Sequence, residues 1–400
     1  MVMEKIKKAI ADMLKRFRNW LSDRRSFLFS WYTKDTKETQ EPEKSLSELP
    51  QKARQKLIEE TANLPSNPAE REAISKILDD AYTRWREEPN GTDNSVVILS
   101  SPVTAVSRIL TETLEEWTQA KEIPLKLLPL TARPDSIETI ESKLKHHLNN
   151  NLAEDNSDGE HLEVVVIPNL SWCFLRCFEG LEGIEYLQSL LCDGSKNRFW
   201  IIGAGQVGWQ YLNSVCNIEA YCGEVFPLPE IADEDLEKWL NPIVEKLNIT
   251  FDKPRIDKQL LDADKDNQTN YFECLASVSA GVSTVAIQLF LKSIRYQEPE
   301  EDEEISEGVL VAQIPKLPKL PDLEPADRYL LYSLLLHGDL TINGLAQSLG
   351  DEKSQVQARV QLLRREGAIE QQNKVIKINS VYYPRVKREL ASNNFIINRE

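Results

Sequence analysis

No stretch of this 400-residue chain is apolar for long enough to cross a bilayer. No short apolar core with a small-residue cleavage site marks a signal peptide. Cysteine is sparse: Cys173, Cys177, Cys192, Cys216, Cys222 and Cys274 are scattered through the expected core. Cys173 and Cys177 could share a helix face, but no second pair and no histidine stands at zinc-ligand spacing, so no metal is expected. Buried free thiols in a reducing, cytoplasmic setting fit this pattern. Internal repeats are lacking as well. What is present is an ordinary hydrophobic content of 41% and a mean hydropathy of −0.41. The length allows two or three domains and a substantial core.

The net charge of −16 is unevenly spread. Met1–Lys34 is basic, the middle of the chain is strongly acidic, and the part after Pro325 is mildly basic. Residues 1–34 read as an amphipathic helix, with Ile6, Ile10, Met13, Phe17, Trp20 and Leu21 on one stripe. Lys5, Lys7, Arg16 and Arg18 flank that stripe, as in a helix lying at an anionic membrane surface. The same pattern suits docking on the rest of the protein or on a partner.

Residues 35–67 are polar and read as a flexible linker with some helix. Residues 68–228 alternate strand and helix. Pro68 opens a helix striped by Ala73, Ile77, Ala81 and Trp85. Strands follow at Ser95–Ser101, Ile123–Leu130, Leu162–Ile167, Phe199–Ile202 and Tyr221–Leu228, with helical spacing between them. The strands are short, Val- and Ile-rich and apolar at successive positions, so they belong to a parallel sheet covered on both faces. The expected class is a three-layer α/β sandwich. Residues 229–296 read as a helical lid jointed at Gly281, and 297–325 as an acidic, Pro-rich spacer. Residues 326–400 read as a separate compact domain, three helices and a hairpin in the order of a winged helix-turn-helix.

Two motifs compete for the chemistry. Gly203-Ala204-Gly205-Gln206-Val207-Gly208 directly follows a strand, and such glycines let a backbone approach a dinucleotide pyrophosphate. Against this, Trp209, Gln210 and Tyr211 crowd the helix start, and at least three strands precede the motif.

The order of strands, helical lid and winged helix resembles P-loop NTPases of the AAA+ and STAND divisions. The resemblance covers about 95–295 and 326–388. It implies a P-loop-NTPase-like sheet and a phosphate loop after the first strand. There the sequence departs from the pattern, because Ser101, Val106, Ser107 and Arg108 stand where two glycines, a lysine and a hydroxyl residue are needed. The strand that should end in metal-binding carboxylates ends in Ile167-Pro168-Asn169, and Asn169 can hold a water but cannot act as a base. Arg108 is the nearby cation and reads as an outward-facing helix residue. No cofactor and no small-molecule substrate are expected.

For partners, the third helix of the C-terminal unit offers Lys353, Gln355, Gln357, Arg359, Arg364 and Arg365, and the hairpin tip offers Lys374. These side chains can meet phosphates and base edges, or a protein. The expected function is a non-catalytic AAA+/STAND-like scaffold or adaptor that binds a protein, in the cytoplasm or peripherally at a membrane. The alternatives are a DNA-binding regulator led by the winged helix, and an atypical ATPase or NAD-dependent enzyme.

Overall fold

A strand that is apolar at every position must be buried on both sides, and its alternating side chains then divide between two layers. The computed structural model describes residues 46–88, 94–121, 125–127, 133, 138–149, 163–192, 198–252, 266–297 and 308–395. In it Ser95–Ser100 (β1) is buried throughout. Val96 and Ile98 pack into one layer, and Val97 and Leu99 into the other. Together with Leu125–Leu127 (β2), Glu163–Ile167 (β3), Arg198–Gly205 (β4) and Glu224–Pro227 (β5), it forms a parallel sheet in the order β2-β3-β4-β1-β5. This is the expected three-layer α/β class built on a parallel sheet.

Helices Gln51–Asn63 (α1), Pro68–Glu87 (α2) and Val106–Lys121 (α3) come from the first part of the chain. Asn67 caps α2 through its Oδ1, which accepts from the Ala69 N–H at 2.8 Å, and Pro68 supplies the fixed φ of the first turn. The buried apolar positions of α2 are Ile74, Leu78, Ala81, Tyr82 and Trp85, rotated slightly from the stripe read in the sequence. They meet α3 and the sheet in an aromatic cluster. The rings of Tyr82 and Trp117 lie edge-to-face at 5.4 Å, and those of Trp85 and Phe199 are also 5.4 Å apart. On the opposite face lie Glu138–Asn149 (α4), Glu182–Cys192 (α5) and Gln206–Cys216 (α6), through Leu144, Leu187, Trp209 and Leu212 among others.

Asp233–Leu247 (α7), Asn267–Ser279 (α8) and Ser283–Ser293 (α9) follow the sheet. Gly281 sits between the last two at a φ of +63°, and a Cβ there would lie 2.6 Å from Glu230 Cβ. Only glycine meets both demands.

In three places the structure departs from the sequence expectation. Of the segment 35–67, the described part, 46–67, is not a free linker, because Leu57 of α1 is fully buried in the same cluster as α7. Lys246 on α7 also reaches Glu60 at 2.7 Å. Residues 297–325 are not a spacer throughout. Val309–Ala312 pairs antiparallel with Ile294–Gln297, in a four-stranded sheet that also takes in Leu46–Ser47 and Thr250–Phe251. Leu317, Leu320 and Leu323 then pack against the core. The C-terminal unit is not separate either: one continuous apolar cluster runs from the lid into it.

That unit consists of Pro325–His337 (α10), Ile342–Leu349 (α11), Lys353–Arg365 (α12) and Tyr383–Ser392 (α13). Its hairpin pairs Ile369–Gln372 with Val375–Ile378, and Leu340–Thr341 adds a third strand. Every residue named for the amphipathic segment 1–34 lies outside the described residues.

Candidate functional site

In an open parallel sheet, ligands bind outside the carboxyl ends of strands whose connections leave on opposite faces. Here β1 and β4 are neighbours of that kind: α3 follows β1 on one face, and α6 follows β4 on the other. The loop after β1 is a compact turn, with the Thr104 N–H donating to Ser101 O and the Val106 N–H to Thr104 O, both at 2.9 Å. Val106 and Ser107 are buried at 3% and 6% exposure, inside the helix–sheet layer rather than lining a mouth. A cradle of free N–H groups for phosphate does not form from these residues.

Arg108 does not face outward. Its Nε donates to Glu112 Oε1 at 2.8 Å and its Nη2 to the Leu64 carbonyl at 2.7 Å. Glu112 in turn accepts from the Ser66 N–H at 2.8 Å, so the pair ties α3 to the turn ahead of α2. Burial works upward on the Glu112 carboxyl, but Arg108 and the Ser66 N–H outweigh it and hold it below its ordinary value.

Asn169 is likewise engaged. Its Oδ1 accepts from Ser171 Oγ at 2.7 Å and from the Ser171 N–H at 3.1 Å, capping the turn Leu170–Cys173. Cys173 is buried in that turn and Cys177 lies beyond it, so the two share no helix face.

The Gly203–Gly208 motif serves packing. Strand β4 runs through Gly205, and α6 begins at the next residue. A Cβ on Gly203 would stand 2.5 Å from the Pro168 carbonyl oxygen, and one on Gly208 would stand 2.5 Å from the Leu336 carbonyl oxygen. A Cβ on Gly205 would meet nothing closer than Pro102 Cα at 3.7 Å. The outer glycines therefore admit neighbouring backbone.

The C-terminal unit covers this edge. Pro102 lies against both Gly205 and Gly338, the residue that ends α10. Arg133 donates to the carbonyls of Phe174 and His337, the latter at 3.3 Å. The Arg176 N–H donates to His337 Nε2 at 3.3 Å, and its Nη2 donates to the Ser348 carbonyl at 2.9 Å. The His337 ring lies 4.8 Å from that of Phe174. Burial, then Arg133 and Arg176, push His337 well below its ordinary value, so the imidazole is neutral. Tyr383 at the start of α13 lies beside Ser101; burial pushes its phenol up, with the Ser101 hydroxyl opposing.

Arg133, Arg176 and His337 were not singled out from the sequence. One available signal was α10 itself, whose Leu330, Leu331, Leu334, Leu335 and Leu336 surround the helix instead of striping it. A helix apolar all round is buried all round.

Of the proposed partner-binding side chains, Lys353, Gln355, Gln357, Arg364, Arg365 and Lys374 are exposed. Arg364 donates to Gln371 Oε1 at 3.0 Å. Arg359 is not on offer: its Nη1 lies 3.1 Å from Asp327 and 3.2 Å from Glu324, at the start of α10. Among the described residues no group of three His, Cys, Asp or Glu could hold a metal, and no helix is long and apolar enough to cross a membrane.

No protein-family model matches the chain, and no curated protein matches it in sequence. Similar solved structures include Cdc6p from Pyrobaculum aerophilum, at 12% identity, 82% of this chain, 96% of that chain and a TM-score of 0.37. The ORC2 protein of Aeropyrum pernix is similar at 13% identity, over 82% and 95% of the two chains, with a TM-score of 0.39. The RuvB Holliday junction branch migration motor of Thermotoga maritima is similar at 14%, over 82% and 96%, with a TM-score of 0.32. Likenesses this distant transfer no residue role to this chain.

Proposed function

We propose that this protein is a non-catalytic, AAA+-like scaffold whose core displays other surfaces and turns over no nucleotide. One observation carries the reading: the loop after β1 is packed beneath its own C-terminal unit, with Pro102 against Gly205 and Gly338. Phosphate binding asks that loop for free N–H groups and a lysine, and hydrolysis asks the end of β3 for a carboxylate. Here Val106 and Ser107 are buried, Arg108 is spent on Glu112 and Leu64, and Asn169 caps a turn. Calorimetry with Mg²⁺-ATP, GTP and NADH on the full chain, with a phosphate-release assay, tests this. Micromolar, Mg²⁺-dependent ATP binding would overturn it.

A second reading concerns the partner. Lys353, Gln355, Gln357, Arg365 and Lys374 are exposed on the winged-helix-like unit, where a recognition helix and a wing would meet DNA. Asp351, Glu352 and Glu366 stand exposed among them and dilute that field. A macromolecular partner is therefore proposed first as a protein, with DNA as the alternative.

A further inference from the structure

Phe178 is fully exposed, at 101% of its reference area. The loop that carries it is nonetheless closed. The Leu175 N–H donates to Gly180 O at 2.8 Å, the Cys177 N–H to Leu175 O at 2.8 Å, and the Gly180 N–H to Cys177 O at 3.2 Å. Gly180 is required, since a Cβ there would collide with the Leu175 carbonyl. Leu175 is buried and Arg176 is tied to Ser348 ahead of the phenyl ring, and Gly180 is bonded back to Leu175 and Cys177 beyond it, so the loop is anchored on both sides. An aromatic held this way gives up little conformational freedom when a partner covers it, which is the property of an interface anchor.

Its surroundings extend the surface. Tyr211 on α6 lies close enough to Cys177 and Cys216 to feel both, and Cys216 feels Glu185 on α5. Val215, one helical turn beyond Tyr211, is 49% exposed, and Tyr221 just after α6 is 38% exposed. Three of the six exposed large apolar side chains among the described residues thus belong to this flank. Its charge is mainly negative, although Arg176 borders Tyr211, and Lys145 of α4, paired with Glu141, lies over the Tyr186 ring beside Glu182. Glu179, Glu182, Glu185 and Glu219 are exposed, while the sequence from Cys177 to Cys222 holds only Lys196 and Arg198 as cations. Arg198 is paired with Glu163 at 2.9 Å, at the amino end of β4.

An acidic rim around fixed apolar anchors fits a basic segment with an apolar stripe. This chain contains one. Met1–Lys34 carries nine lysines and arginines against three acids, with Ile6, Ile10, Met13, Phe17, Trp20 and Leu21 at helical spacing. The 45 residues ahead of Leu46 extend to at most about 150 Å, ample to reach this flank on the same chain or on a second copy. We infer that the Phe178 flank is the docking surface for Met1–Lys34. The apolar stripe would seat on Phe178 and Val215, and its cations would face Glu179, Glu182 and Glu185.

The test uses the full chain with a photoreactive benzoylphenylalanine in place of Phe17. Irradiation followed by peptide mapping should give cross-links to Arg176–Glu182 or to Tyr211–Tyr221. The size of the product tells whether the target is the same chain or a second copy, and either supports the inference. Phe178→Asp, a fully exposed position, should cut the yield about tenfold or more. Glu179→Lys with Glu182→Lys gives an independent second variant, and about 1 M salt should weaken the cross-link as screening sets in. Cross-links confined to other surfaces, or undiminished in these variants, would overturn the proposal. So would capture of the probe by anionic phosphatidylserine vesicles with no cross-link to this flank in their absence, which would make a membrane the occupant.

Discussion

The backbone N–H of Arg176 donates to Nε2 of His337 across 3.3 Å, joining the loop beyond β3 to the last turn of α10. The bond needs an unprotonated Nε2, so the docked C-terminal unit requires a neutral imidazole. The charged and titratable groups around this junction are Arg133, Arg176, Asp339, Cys173 and Tyr211. The released imidazole takes up its proton near its ordinary value of 6.5, whereas the docked one resists protonation to well below that. Docking is therefore complete above about pH 6.5 and weakens as pH falls below it. Hydrogen exchange in Pro325–His337 from pH 8 to pH 5 reads this opening. His337→Gln keeps an acceptor without a titration and should flatten the profile. Identical profiles for the two proteins would remove His337 from the latch.

A second buried group slopes the other way. Glu70 at the start of α2 accepts from Ser283 Oγ at 3.0 Å, and its carboxyl is pushed up to about 7 by burial, with Ser283 opposing. Its Oε2 has no hydrogen-bond partner. An unfolded chain ionises this group near 4.5, so the native state holds the proton longer. Its stabilisation is full below about 4.5 and is lost as pH rises through about 7, by at most roughly 3 kcal/mol. Glu70→Gln should be more stable than the parent at pH 8.5 and no more stable at pH 5. Urea midpoints at the two pH values settle it, and a constant difference between them would contradict the assignment.

Much of the sheet was legible because each of its longer strands is apolar at consecutive positions, as in Val96–Leu99 and Val164–Ile167. Burial on both faces leaves no other reading for such short runs. The docking of the C-terminal unit was not legible, because a Pro-rich acidic stretch looks the same whether it spans solvent or lies along a surface. Val309–Ala312 becomes a strand because Ile294–Gln297 and Thr250–Phe251 pair with it on its two sides. Arg108 and Arg359 were misread for a related reason. A cation on a helix shows no sign in the sequence of the carboxylate it meets, Glu112 one turn on in the first case and Asp327 on another helix in the second. At the candidate site, the missing phosphate-loop residues could be read from the sequence, but what occupies their place could not.

The glycines of β4 and α6 separate packing from nucleotide binding. Gly208→Ala pushes a Cβ toward the Leu336 carbonyl, backbone that can move only if α6 and α10 part. Overpacking of this kind costs about 1–3 kcal/mol. Gly205 has a φ of −81° and free space around a Cβ, and the entropy gained by Gly205→Ala is offset by the preference of this N-cap for glycine over alanine, so the change should lie within about 1 kcal/mol of zero. Thermal melts of the two variants should therefore diverge. A dinucleotide loop would make Gly205 the intolerant position, and NADH binding abolished by Gly205→Val would revive it.

If the C-terminal unit meets DNA, the cations that matter are those left exposed, and the arginines of α12 divide on this point. Arg365 is exposed and Arg364 is held only by the exposed amide of Gln371, so both can turn to a phosphate. Arg359 already neutralises Asp327, which is 3% exposed and closes the capping box of α10. Removing Arg359 would leave this buried carboxylate without its cation, a loss of stability rather than of binding. Full-length protein should bind duplex DNA weakly, on the order of 10⁻⁴–10⁻⁶ M at physiological salt. Arg364→Ala and Arg365→Ala should each lower the salt slope by about 1. Arg359→Ala should leave the slope unchanged while lowering the melting temperature. Fluorescence anisotropy over a salt series, paired with thermal melts, measures both quantities on the same samples. No binding by the full chain at low salt, or a slope that follows Arg359 instead, would leave the exposed face of α12 to a protein partner.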